Sequence, residues 1–124
     1  MKPETAAFIA KAEKMLGDGR KIAALELGGH AGRAAYLVAF HAAQALIFER
    51  TGKSAKTHRG IAGQFIQLAG ELDKELRSFL AKSYNLKAVA DYETGEASDV
   101  PIERAREALD TAEKFLSAIK GMLG

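Results

Sequence analysis

Arg33-Ala-Ala-Tyr-Leu-Val-Ala-Phe-His-Ala-Ala-Gln-Ala-Leu-Ile-Phe48 leads into the basic stretch Arg50-Thr-Gly-Lys-Ser-Ala-Lys-Thr-His-Arg59. Between Ala34 and Phe48 the only polar side chains are His41 and Gln44, with the hydroxyl of Tyr36. A helix that is apolar around most of its circumference belongs in the middle of a packed domain. At about 100° per residue, Arg33, Leu37, His41 and Gln44 fall at about 0°, 40°, 80° and 20°, so the polar members share one narrow face. That face is either the wall of a cleft or a set of core polar groups satisfied by neighbours. Spacing alone favours the second.

The remainder of the chain reads as helices around this one. Strand signals are scarce, and helix-period patterns cover most of the length. A first helix is expected from Pro3 or Glu4, carrying Phe8, Ala12, Met15, Leu16, Ile22 and Ala23 on one side. It runs as one segment through Gly17 and Gly19 and ends at Gly28-Gly29. The central helix follows from about His30 to Arg50, with Gly52 as its stop.

A third helix is expected from His58 to Ala69, capped by Thr57 and facing inward with Ile61, Phe65 and Leu68. A fourth runs from Glu71 to Asp91 with a stripe of Leu72, Leu76, Phe79, Leu80, Ser83 and Ala90 that also takes in Lys87. Tyr92 to Pro101 reads as a loop, with Ser98 or Asp99 before Pro101 as the start signal of the last helix. There Ile102, Ala105, Leu109, Ala112, Leu116, Ile119 and Leu123 form a regular seam. These patterns predict an all-α protein, a four- or five-helix antiparallel (up-and-down) bundle.

A length of 124 residues suits a single domain, 1–124, with a core of useful size. The absence of cysteine excludes disulfides, thiolate zinc sites and cysteine nucleophiles, and fits the cytoplasm. The longest apolar stretch contains His41 and Gln44 and is short of the roughly twenty residues of a membrane span. The first residues lack an export signal's apolar region. No membrane association is expected. Net charge is only +2, but it is unevenly spread. Arg50, Lys53, Lys56 and Arg59, with His58, have no acid among them, whereas 91–103 carries five acids and no base. The first patch suits phosphate, and the second suits repulsion or a basic partner. Both equally fit solvated loops.

Familiar catalytic patterns fit poorly. Gly52-Lys53-Ser54 looks like the end of a P-loop, but Ile47 stands where the upstream glycine belongs and a helix precedes it. His30, His41 and His58 lack metal-ligand spacing, so no metal and no cofactor are expected. No serine sits beside a base in an acyl-transfer arrangement. Lys87 and Asp91, four apart, can pair on one helix face, a feature that is usually structural.

The ordered set Phe8-Ile-Ala-Lys-Ala-Glu-Lys14, Arg33 through Ile47, Lys56-Thr-His-Arg-Gly60 with Phe65, and Leu86-Lys-Ala-Val-Ala-Asp-Tyr92 resembles the HEPN-domain family. The resemblance is to the small prokaryotic group whose genes often neighbour a minimal nucleotidyltransferase, and it spans essentially the whole chain. It implies a four- or five-helix bundle, a homodimer, and a toxin–antitoxin-like pairing with a minimal nucleotidyltransferase. Many HEPN domains are metal-independent ribonucleases that join an Arg and a His across the dimer, the Arg gripping phosphate and the His moving protons.

Their motif is Arg, four to six residues, then His. Here Arg33–His41 and Arg50–His58 each enclose seven residues and Arg20–His30 nine, so the motif is absent. Lys87 stands where relatives usually carry an arginine before Ala-Asp-Tyr, and a lysine lacks the two-pronged grip on phosphate.

The resemblance makes a cleft of Arg33, Tyr36, His41, Lys87, Asp91 and Tyr92 the expected site for RNA or a nucleotide, with His58, Arg59, Lys53 and Lys56 at its rim. His41, Lys87, Asp91 and Tyr92 are the candidates for any catalysis, whose presence the sequence leaves open. The alternatives are a non-catalytic nucleotide-binding bundle and a protein-interaction bundle that docks through the 102–123 seam. The plainer account of that seam is the protein's own core.

Overall fold

Alanine governs how this chain packs. A computed structural model describes residues 1–95 and 99–124, in five helices: α1 (Pro3–Ala24), α2 (Gly28–Thr51), α3 (His58–Leu68), α4 (Lys74–Tyr92) and α5 (Ile102–Met122). Ala31, Ala35, Ala39, Ala42, Ala43 and Ala45 on α2 are all fully buried, and α2 touches each of the other four helices. Such small side chains let neighbours close in on several sides at once. The result is the expected up-and-down bundle, with α2 as its axis and no strand among the described residues.

Larger residues fill the space around that axis. Phe115 of α5 meets Phe65 of α3 at 5.4 Å and Phe79 of α4 at 5.9 Å between ring centroids, tying three helices together. Burying each such ring contributes roughly 1.5–3 kcal/mol. The α5 seam is core: Ala105, Leu109, Ala112 and Ile119 are fully buried, with Leu116 and Leu123 nearly so. It therefore leaves no free stripe for docking a partner.

Several boundaries differ from those expected. α1 runs through Gly17 and Gly19 as predicted, and Gly19 lies where α1 crosses Leu109 and Ala34, with no room for a Cβ. The helix ends at Ala24, however, and the reversal is made at Leu25–Leu27, where Glu26 takes a positive φ of 61°. Gly28 and Gly29 open α2 instead. Gly28 is needed there for space, because a Cβ would overlap the Val100 carbonyl oxygen.

Gly52, at φ 73°, caps α2 as expected, and Thr57 caps α3 by accepting from the Gly60 amide at 3.1 Å. α4 begins at Lys74 rather than Glu71, since Asp73 caps it through the Leu76 amide at 3.0 Å. α5 starts after Pro101 without a side-chain cap, so Asp99 does not play that part. Ser98 lies outside the described residues.

α2 is 24 residues long and contains an 18-residue window with a mean hydropathy of 1.2, which makes it long and apolar enough to cross a bilayer. Yet 72% of that window is buried by its own neighbours, the situation of a central bundle helix.

Candidate functional site

Arg33 and Tyr36, one turn apart on α2, face a matching series on α4. Tyr84, Lys87 and Asp91 are spaced by three and four, so they stack along one side of that helix. α3 adds its first residue, His58, placed by the Thr57 cap.

Two linked groups result. In one, the Asp91 carboxylate pairs with Lys87 Nζ at 2.8 Å and with Arg33 Nε at 3.7 Å. Lys87 also reaches Tyr92, with Nζ 3.5 Å from the hydroxyl and 5.0 Å from the ring centroid. In the other, His58 lies stacked on Tyr84, centroids 3.8 Å apart and planes 10° from parallel, with its Nδ1 3.0 Å from the Tyr36 hydroxyl. Tyr36 packs edge-on against Tyr84 at 5.5 Å. Lys87 joins the two groups, its ammonium 5.8 Å from the Tyr84 ring centroid.

The electrostatics follow from this packing. The Lys87 side chain is only 16% exposed, and its bond to Asp91 pushes its ammonium above the usual lysine range. Burial, then the Lys87 charge, holds His58 below the usual histidine range. Burial, with Tyr84 alongside, pushes the Tyr36 hydroxyl up to about 12. Arg33, Lys87 and Asp91 leave one net positive charge. The terminal guanidinium nitrogens of Arg33, on a side chain 48% exposed, make no hydrogen bond among the described residues. An anion with several oxygens is what such a set can hold.

A recess of about 450 Å³ opens beside Arg33 and Asp91, lined also by His30 and Val100. Glu26 and Asp99 add two more carboxylates to it, which makes it unfavourable for an anion. The His58 side of the cluster is the better approach.

Of the residues singled out from sequence, the structure brings Arg33, Tyr36, His58, Lys87, Asp91 and Tyr92 together. His41 is elsewhere. It lies eight residues beyond Arg33, about 12 Å along the helix axis, and its Nδ1 donates to Gln44 Oε1 at 2.8 Å. Gln44 Nε2 in turn donates to the Ala55 carbonyl at 2.9 Å. The shared angular face did not bring His41 to Lys87, because the two are separated along the axis. Gln44, 6% exposed, is a satisfied core group. Burial lowers the His41 value, the Gln44 bond opposes this, and Lys11 adds to it. Lys53, Lys56 and Arg59 are exposed along the segment that Gln44 anchors. Tyr84 was missed from sequence, although its spacing to Lys87 and Asp91 placed it on their face.

The HEPN domain family matches residues 5–122. A UPF0332 protein of Archaeoglobus fulgidus is 33% identical over 118 residues, covering 90% of this chain and 89% of that protein. A Methanocaldococcus jannaschii protein named "Putative toxin MJ0605" is 29% identical, covering 99% and 91%. Among solved structures, TT1696 from Thermus thermophilus superimposes with a TM-score of 0.80 at 21% identity, over 97% of this chain and 98% of that one. ST0689, an archaeal HEPN homologue, gives 0.71 at 17% identity over the whole of both chains. These two structures speak to the fold.

Proposed function

The chain belongs to the HEPN domain family, and from that premise we propose that it is the HEPN-type subunit of a toxin–antitoxin-like pair with a minimal nucleotidyltransferase, binding RNA in the cytoplasm as a homodimer. The observation that carries the RNA reading is the convergence of Arg33, Lys87 and His58, from three helices, at the edge of the exposed basic segment 50–59. Phosphates of a single strand find cations along this path, and Tyr92, 70% exposed, offers a face for a base. The name of the Methanocaldococcus relative is consistent with a toxin-like role.

Binding is the primary activity in this reading, with residual metal-independent cleavage at most. The family's Arg-to-His spacing is missing, and Lys87 cannot grip phosphate with two prongs. The second reading, a purely non-catalytic nucleotide-binding bundle, is favoured by the displacement of His41 from the cluster.

Single-stranded RNA binding by purified protein, alone and co-expressed with a minimal nucleotidyltransferase encoded beside it, tests the proposal. Affinity that falls with salt and drops at least tenfold in Lys87→Ala supports it. Absence of both RNA binding and a complex overturns it. A ribonuclease assay on the same preparations separates the two readings, and light scattering reports the homodimer.

A further inference from the structure

Tyr36 decides which nitrogen of His58 faces outward. The residue is 4% exposed, and among the described residues its hydroxyl has one hydrogen-bond partner, His58 Nδ1. A buried hydroxyl proton needs an acceptor, and with its value up at about 12 the phenol keeps that proton. The Tyr36 O–H therefore donates to Nδ1, and the neutral imidazole carries its own hydrogen on Nε2. Nε2 has no partner among the described residues, His58 is half-buried, and the Tyr84 stack fixes the ring plane.

We infer that His58 Nε2–H is a third phosphate-binding group beside Lys87 and Arg33, and that a phosphate binding there takes up one proton from solvent, converting His58 to imidazolium. This rests on the RNA-binding reading and makes it more specific. The charge that acts on the ring is Lys87 of α4, which is paired with Asp91 and, through it, linked to Arg33 of α2; Arg59 follows His58 on α3, and Tyr36 keeps its proton. Burial, then the Lys87 charge, favours the neutral form of the free imidazole. An anion against Nε2 offsets that charge and accepts a stronger hydrogen bond from imidazolium than from imidazole. Protonation at Nδ1 leaves the ring in place but reverses this bond: the Tyr36 oxygen then accepts from Nδ1–H and the phenolic hydrogen turns away from its one acceptor, a cost that further favours the neutral ring until an anion is bound. A resting His58 also has no outward lone pair with which to abstract a 2′-hydroxyl proton, in keeping with binding rather than efficient cleavage.

The linkage has a definite sign. Each unit by which a bound anion raises the His58 value increases affinity about tenfold as pH falls through that interval. Nitrogen-15 NMR of the histidines is expected to show neutral His58 as the Nε2–H form. Sulfate, which does not titrate in this range, is expected to raise its value. A short oligouridylate lacking terminal phosphates is expected to bind more tightly as pH falls from about 8 to about 5, with His58→Gln folded but without that gain.

An Nδ1–H form, a His58 value unmoved by sulfate and oligouridylate, or an unchanged pH gain in His58→Gln overturns the inference. If sulfate raises the His58 value but oligouridylate does not bind, the anion site stands and the RNA reading fails. If oligouridylate binds through Lys87 with His58 unaffected, the RNA reading stands and the inference fails.

Discussion

His58 lies flat on Tyr84, ring centroids 3.8 Å apart and planes 10° from parallel, so that the first residue of α3 is seated on the middle of α4. α3 packs mainly on α2 and meets α4 only sparsely. The stack is thus one of few ties that hold the end of the basic segment against Lys87. Stacked rings of this kind contribute about 0.5–1.5 kcal/mol beyond their buried area. Tyr84→Phe keeps the stack and is expected to leave thermal stability and RNA affinity near wild type. Tyr84→Ala is expected to lose about 1–3 kcal/mol and to weaken RNA binding severalfold. Chemical denaturation and fluorescence anisotropy on both variants check this, with the contrast between them as the informative quantity.

Two histidines are held below the usual range in the folded state, His41 and His58, in each case chiefly by burial. An unfolded histidine keeps its ordinary value near about 6.5. As pH falls through that value, the unfolded chain takes up protons that the folded chain does not, so unfolding becomes easier. Stability is therefore expected to be full above about pH 7, to decline on acidification through about 6.5, and to stop declining from this source once the folded values are passed. Denaturation midpoints between about pH 8 and about pH 5 should show that slope. His41→Gln and His58→Gln should each flatten it, whatever they do to stability at neutral pH.

Lys87 and Asp91 present opposed demands. The carboxylate that orients Lys87 and Arg33 also occupies them as an internal anion. An incoming phosphate competes with it. Asp91→Asn is expected to raise affinity for single-stranded RNA by about threefold to tenfold by freeing one cation. Lys87→Ala should lower affinity and reduce the salt slope by about 0.7, the signature of one lost phosphate contact on a single strand. Titrations at several salt concentrations measure both. Weaker binding in Asp91→Asn would mean that Asp91 serves chiefly to position the two cations.

How much of this could be read from sequence depended on the distance over which each signal acts. The helices were legible because apolar spacing and caps are local: Thr57, Gly52 and the Ile102–Leu123 seam all sit where their chemistry predicts. Gly28 was misread as a stop, because its role is set by the Val100 backbone, seventy-two residues away in sequence and invisible to any local pattern. At the site, Lys87 and Asp91 could be paired on one helix. The meeting of His58 with Tyr84 and Tyr36 depends on how α3 lies across two helices, which periodicity does not encode. His41 entered the expected cleft through the family resemblance and the angular face it shares with Arg33, neither of which takes account of its separation along the helix axis.

Gln44 ties these observations to the basic segment. Its amide bridges His41 Nδ1 and the Ala55 carbonyl, at 2.8 and 2.9 Å, so one buried side chain fixes both a tautomer and the midpoint of the connection between α2 and α3. Lys53 and Lys56 flank that anchor and are exposed. Gln44→Ala leaves a carbonyl and an imidazole N–H unpaired, at a cost of about 1–3 kcal/mol. A bundle with a core centred on α2 should survive this loss, while the 52–57 connection loosens. Hydrogen exchange is expected to show faster exchange confined to that connection, and RNA affinity should fall although Arg33, Lys87 and His58 are untouched. Unchanged affinity with a loosened connection would place phosphate binding entirely on the Arg33–Lys87–His58 cluster and remove Lys53 and Lys56 from the interface.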